Sequence, residues 1–197
     1  SVTEIGMQAF YGCYSVTITI PDSVTSIGER AFGNCTGELI ISSKIVETDY
    51  IYDYSSASND CLKNSKFYKI TIGKGITKIG KCAFFGCSSL TNVFIPDSAT
   101  SIGDYAFSGC ASLAILTIGK GVTSIGERAF YGCKGLTNVF IPNSVNMIGN
   151  EVFECCEKLK SINVERGTMN YSSENGVLFD TSKRRLIKYP EGLEGEY

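Results

Sequence analysis

An internal period constrains this chain more than any other feature. The segment Ile102-Gly103-Asp104-Tyr105-Ala106-Phe107-Ser108-Gly109-Cys110 returns as Ile125-Gly126-Glu127-Arg128-Ala129-Phe130-Tyr131-Gly132-Cys133. Counterparts begin at Ile5, Ile27, Ile79 and Ile148; the step from Ile5 to Ile27 is 22 residues, and those from Ile79 through Ile102 and Ile125 to Ile148 are 23 each. A unit this short cannot bury its own Ile, Ala, Phe, Cys, Leu and Val side chains. Stacked units can, because each apolar column lands on the same column of the next coil. The period therefore predicts a solenoid rather than one or two compact domains.

Each unit also carries extended segments. Leu90-Thr91-Asn92-Val93-Phe94-Ile95 alternates and is rich in β-formers, with counterparts at 113–118, 136–141, 159–164 and 69–72, the last preceded by Phe67. A Pro-x-Ser turn (Pro21, Pro96, Pro142) or a Gly-Lys-Gly turn (73–75, 119–121) follows. Proline ends a strand because it cannot donate to the ladder, and the paired glycines point to a turn with φ > 0. A second extended stretch such as 122–125 comes next. The Gly-x-x-Ala-Phe-x-x-Cys segment after it is too short for an independent α-helix and is expected to form a single helical or 3₁₀ turn. At about 4.8 Å per coil, seven coils give a core roughly 35 Å long.

Between Ile27 and Ile79 the spacing is 52 residues, two periods plus six. A divergent coil is expected there, with Cys61 in the Phe column, Asn64 in the Cys column and an insertion near 50–58.

The motif Leu-x-x-Val-x-Ile-Pro-x-Ser-Val-Thr-x-Ile-Gly-x-x-Ala-Phe-x-Gly-Cys, clearest over 90–110, resembles the BspA-like branch of the leucine-rich repeat superfamily. The resemblance covers nearly the whole chain. It implies an α/β leucine-rich-repeat solenoid dominated by β-structure, with 22–23-residue coils, one parallel sheet and short helical turns opposite. The expected organisation is a single solenoid over 1–197 with about seven coils, a divergent coil and insertion at about 42–64, and a variant terminal repeat at 165–197. In the family that terminal repeat usually leads back into ordinary ones. This chain stops at Tyr197 and so reads as an excerpt of a longer array, and its first residue, Ser1, reads as a processed or trimmed start. The resemblance further implies an extracellular or cell-surface location. It also implies binding to a host matrix protein, a cell-surface protein or a glycan, in an adhesion role.

Composition narrows the chemistry. The chain has no His, so it can hold no Ser-His-Asp triad, no Cys-His pair and no His-ligated zinc. A net charge of −2 lacks the basic excess of a nucleic-acid binder. No apolar run reaches the roughly 18 residues of a membrane span, so no membrane insertion is expected in this fragment. No cofactor or metal is expected either, since no Cys-x-x-Cys occurs among the 9 cysteines. Six of them, Cys13, Cys35, Cys87, Cys110, Cys133 and Cys156, share one phase of the repeat and read as a packed core ladder. Cys82 falls among polar positions and is the candidate for an exposed, oxidisable thiol. Cys155 stands in a glycine column beside Cys156. The carboxylates Glu29, Asp104 and Glu127 share a column and read as solvated charges rather than a catalytic pair. Lys183-Arg184-Arg185 reads as the cap of a hairpin.

The sheet face is more informative. In Leu-x-x-Val-x-Ile the Val and Ile point inward and the residues between them outward. One outward row is Thr19, Thr71, Phe94, Thr117, Phe140 and Asn163; the other is Thr17, Lys69, Asn92, Ile115, Asn138 and Ser161. Phe94, Ile115 and Phe140 place apolar groups where water is expected, and such patches tend to mark interaction sites. The candidate partner-binding residues are thus Asn92, Phe94, Ile115, Thr117, Asn138 and Phe140. The expected function is a non-catalytic binding module. The alternative is a spacer that displays another domain, and an enzyme is the less favoured reading.

Overall fold

The chain passes through extended, β-rich stretches twice per period, so each coil can pair with the next along two separate lines. The computed structural model describes residues 1–28, 30–47, 62 and 65–194. In chain order its elements are β1 (Glu4–Ile5), β2 (Val16–Ile20), β3 (Ser26–Ile27), β4 (Thr36–Ile41), a 3₁₀ helix (Lys44–Glu47), β5 (Lys66–Ile72), β6 (Lys78–Ile79) and β7 (Asn92–Phe94). There follow β8 (Ser101–Ile102), β9 (Ile115–Thr117), β10 (Ser124–Ile125), β11 (Asn138–Ile141), β12 (Met147–Ile148), β13 (Ser161–Val164), β14 (Tyr171–Glu174), β15 (Val177–Asp180) and β16 (Leu186–Lys188).

The longer strands form a parallel sheet in the order β2-β4-β5-β7-β9, and β11 pairs with β13 in a second one. The single parallel sheet expected from the repeat is therefore interrupted between β9 and β11. The short strands form a parallel line of their own, β1-β3 and then β6-β8-β10-β12.

The turns opposite the sheet correct the α/β expectation. The described residues contain no α-helix and one short 3₁₀ helix. In the coil around Phe107, three amides bond within their own turn: Ala106 to Gly103 O (3.3 Å), Ser108 to Tyr105 O (3.1 Å) and Cys110 to Phe107 O (3.2 Å). The amides between them bond to the next coil: Tyr105 to Glu127 O (2.9 Å), Phe107 to Ala129 O (2.8 Å) and Gly109 to Tyr131 O (2.7 Å). A helix would spend every N–H internally; here every second one joins coils. The residue before the Ala (or Val152) position also blocks helix propagation, because Gln8, Arg30, Cys82, Tyr105, Arg128 and Glu151 all have φ of 50–58°. That left-handed conformation costs a non-glycine residue roughly 1–2 kcal/mol, and the inter-coil bonds on either side hold it in place.

The core is made of stacked columns. Phe84, Phe107, Phe130 and Phe153 stack with ring centroids 5.0, 5.4 and 5.7 Å apart and interplanar angles of 12° or less. Ile, Ala, Cys, Leu and Val columns bury beside them. The Gly-Lys-Gly turns do not use glycine for the reason expected, and at 119–121 the requirement is a different one. None of the four glycines has positive φ. A Cβ on Gly119 would instead lie 2.4 Å from Pro96 O, and one on Gly121 would lie 2.0 Å from Asp97 O. Close approach of the preceding coil is the constraint there.

In the divergent coil the Ile-position acceptor is Val46. Gly80 N bonds to Val46 O (2.7 Å), as Gly103 N does to Ile79 O and Gly126 N to Ile102 O (both 2.8 Å). Val46 lies 19 residues after Ile27 and 33 before Ile79. The six extra residues are thus the net of a half that is four short and a half that is ten long. The insertion expected at 50–58, and the roles expected of Cys61 and Asn64, lie outside the described residues. At the C-terminal end, β14, β15 and β16 form an antiparallel sheet that packs Val177, Leu178 and Phe179 into the core. The basic segment 183–185 lies in the β15–β16 connection, as a hairpin cap should.

Candidate interaction surface

Alternation along the strands fixes which side chains face outward, and parallel pairing aligns them into rows. Asn92 pairs with Ile115 and Phe94 with Thr117 between β7 and β9, while Val93 and Leu116 between them are buried. On β11, Asn138 and Phe140 face out around buried Val139. All six candidate residues are exposed on this face, with Phe94 at 51%, Ile115 at 57% and Phe140 at 55%. These are large apolar groups in rows whose other members are mostly Thr, Asn and Ser.

Both rows contain residues that repeat counting misses. Strand β4 inserts Glu38 between Thr17 and Lys69, and Ile40 between Thr19 and Thr71. A count in steps of 23 passes over this strand because its coil is short. The available signal was Leu39 and Ile41, which alternate as Ile18 and Ile20 do. A register shift opposite Gly37 and Glu38 leaves Tyr68 with no residue opposite it in the β4 register, and Tyr68 is 49% exposed on the same face.

Electrostatically the face is quiet. In the two rows the only charged residues are Glu38 and Lys69, which pair at 2.9 Å, with the Tyr68 hydroxyl donating to Glu38 at 3.4 Å. From β7 through β13 the outward groups are amides, hydroxyls and apolar side chains. Ser161 Oγ donates to Asn138 Oδ1 (2.7 Å), and Asn163 Nδ2 donates to Ser161 Oγ (3.2 Å).

The buried thiols and the turn-side carboxylates lie elsewhere. The thiols of Cys110, Cys133 and Cys156 donate to the carbonyls of Phe84, Phe107 and Phe130, each at 3.3 Å. Burial pushes Cys110 and Cys133 well above the usual thiol range and Cys156 up to about 12, so these sulfurs stay protonated and unreactive. The described cysteines are all thiols rather than disulfides. Cys82 is buried, not exposed as expected. The longer side chains of the same column are more accessible: Arg30 is exposed, and Tyr105 and Arg128 are half-buried. Cys155 is half-buried and donates to Tyr131 Oη at 3.2 Å. Asp104 accepts the Glu127 N–H (2.9 Å), and Arg128 bonds Glu151 (2.8 Å) and Tyr105 Oη (3.0 Å). Glu29 lies outside the described residues. Among the described residues no three His, Cys, Asp or Glu side chains cluster as a metal site would need. No described helix is long and apolar enough to cross a membrane.

The BspA type leucine rich repeat region matches in six copies over residues 1–57 and 55–175. The chain belongs to the BspA-type leucine-rich repeat family. Solved structures agree with this assignment. The pneumococcal vaccine antigen PcpA is 29% identical with a TM-score of 0.69, over 100% of this chain and 44% of that one. A leucine rich cell surface protein of Faecalibacterium prausnitzii is 33% identical with a TM-score of 0.67, over 96% of this chain and 50% of that one. A leucine-rich repeat protein of Bacteroides ovatus is 26% identical with a TM-score of 0.60, over 83% and 40%. This BspA-type chain thus spans half or less of the length of these three structures. No curated protein matches it. No catalytic family is indicated.

Proposed function

We propose that this BspA-type region is a non-catalytic binding module of the cell surface or extracellular space, presenting its sheet face to a protein or glycan partner in an adhesion role. The observation that carries the reading is the exposed set Phe94, Ile115 and Phe140, set within rows of amides and hydroxyls. Aromatic side chains supply much of the energy in binding interfaces, and an apolar patch with a polar rim is the usual form of such a site. A surface location is supported by the names of two structural neighbours, one a cell surface protein and the other a vaccine antigen. A catalytic reading finds little support, since the buried thiols are held protonated and the carboxylates of the turn side are tied into bonds between coils.

The test is a screen against matrix proteins and surface glycans, repeated with Phe94→Ala and Phe140→Ala. Each substitution is expected to weaken the selected partner by about tenfold or more, the range of an interface anchor. Thermal unfolding should be unchanged. Equal affinity in both variants would remove the sheet face from the reading. Absence of any partner, with activity tracking repeat number instead, would favour a spacer.

A further inference from the structure

Accepting the sheet face as the binding surface, we infer that its ligand is an uncharged, proline-rich polypeptide in the polyproline II conformation, lying across the strands along the solenoid axis. Two observations carry this. The first is charge. The two outward rows contain one acid and one base, on β4 and β5 and paired with each other, and β7, β9, β11 and β13 present no charged outward residue. The whole chain carries 38 charged side chains, so this neutrality belongs to the face and not to the composition. A charged ligand segment placed here would lose its hydration and find no counter-charge, so the complement of this face is a neutral one.

The second observation is spacing. β7 and β11 carry the same Asn-x-Phe pair, Asn92 with Phe94 and Asn138 with Phe140, while β9 between them carries Ile115 and Thr117. These two Asn-x-Phe pairs therefore stand two coils apart, about 9.6 Å at the usual strand separation. A polyproline II helix repeats every three residues, about 9.3 Å. An extended strand returns to the same face about every 6.7 Å, out of step with this spacing. An α-helix, at about 5.4 Å per turn, would set an apolar side chain near Thr117. The match extends to the groups themselves. Aromatic rings dock proline in other polyproline II recognition surfaces. The backbone carbonyls of such a helix have no internal partners, which lets them accept from the Asn92 and Asn138 amides.

The experiment titrates the chain with a blocked ten-residue oligoproline, followed by backbone amide NMR, with a Gly-Ser peptide and a neutral cello-oligosaccharide as the other probes. The inference expects oligoproline shifts confined to β7, β9 and β11. It also expects less than about a twofold change in Kd on raising the salt, as for a contact without ion pairs. Phe94→Ser or Phe140→Ser should each weaken binding about tenfold or more. Because both rings are exposed, the variants keep the fold, which their unperturbed core amides would confirm. A chain with Phe140→Ser and Thr117→Phe has two rings one coil apart and should stay weak; restored affinity would overturn the spacing argument. Failure of oligoproline to bind overturns the inference. If the oligosaccharide then binds through Phe94 and Phe140, the sheet face survives as the binding surface with a different ligand. Oligoproline binding that ignores both phenylalanines overturns the inference and the sheet-face reading together.

Discussion

The coils from Ile79 to Cys156 and the divergent coil that precedes them solve one packing problem in two ways. The regular coils repeat every 23 residues and stack four phenylalanines nearly face to face. In the divergent stretch Phe67 meets Phe32 edge-on, at 6.1 Å and 61°. A 3₁₀ turn replaces the short strand, and the Val46 carbonyl still takes the bond from Gly80. Glu47 then does with its carboxylate what backbone does elsewhere: Thr77 N bonds to Glu47 Oε1 at 2.6 Å, and its hydroxyl does so at 2.9 Å. In the regular coils the equivalent Thr100 N bonds to Thr77 O at 2.7 Å. A coil must therefore offer its neighbour a strand and acceptors at fixed places, while the number of residues between them can vary.

The comparison is broken most severely at the phenylalanine column. Phe107 is fully buried and stacks on both sides, so Phe107→Ala should cost about 3–5 kcal/mol, read as a lower denaturant midpoint. Loss of less than about 1 kcal/mol would mean that the stacked column is not what holds the regular coils.

A smaller effect is expected in the cysteine column. Cys110→Ser keeps a donor for Phe84 O but buries a more polar group, so a loss of about 1–2 kcal/mol is expected by the same measurement. In the native protein Cys110, Cys133 and Cys156 should resist a thiol reagent until the chain unfolds, and prompt labelling of all three would contradict their burial.

The mildest effect separates the two regions by pH. Burial raises the Glu47 carboxyl, but the Thr77 N–H and hydroxyl outweigh it and leave the group below the ordinary carboxylate range. A depressed folded pKa means that the stabilisation is complete above the unfolded value, about 4.3, and is lost as pH falls through the folded one. Amide exchange at Thr77 should therefore accelerate on acidification before exchange at Thr100, whose bond is to backbone. Glu47→Gln should abolish that difference in pH response. Simultaneous loosening at both threonines in the unsubstituted chain would show that Glu47 does not couple the coils.

Much of the regular region was legible because its information is periodic. The Ile, Ala, Phe and Cys columns and the outward rows with Phe94, Ile115 and Phe140 follow from counting in steps of 23 and from alternation along a strand. The divergent strand β4 was not reached this way. Thr36-Gly37-Glu38-Leu39-Ile40-Ile41 lies closer to the preceding motif than the period allows, so Glu38 and Ile40 were absent from the expected rows. The burial of Cys82 was also hidden, because its column elsewhere holds Arg, Tyr, Gln and Glu, and column membership cannot tell how far a short side chain reaches.

By itself, the sequence determined which side chains face inward and that the coils stack, since no single 23-residue unit can bury its own apolar groups. Tertiary structure decided where the backbone donors go. The segment from Gly103 to Cys110 is compatible with a helical turn when read alone. Stacking offers every second N–H a carbonyl on the next coil, and the left-handed residue at Tyr105 and its equivalents ends helical propagation. The bonds that set this backbone are made between coils, so only the assembled stack could choose turns over helix.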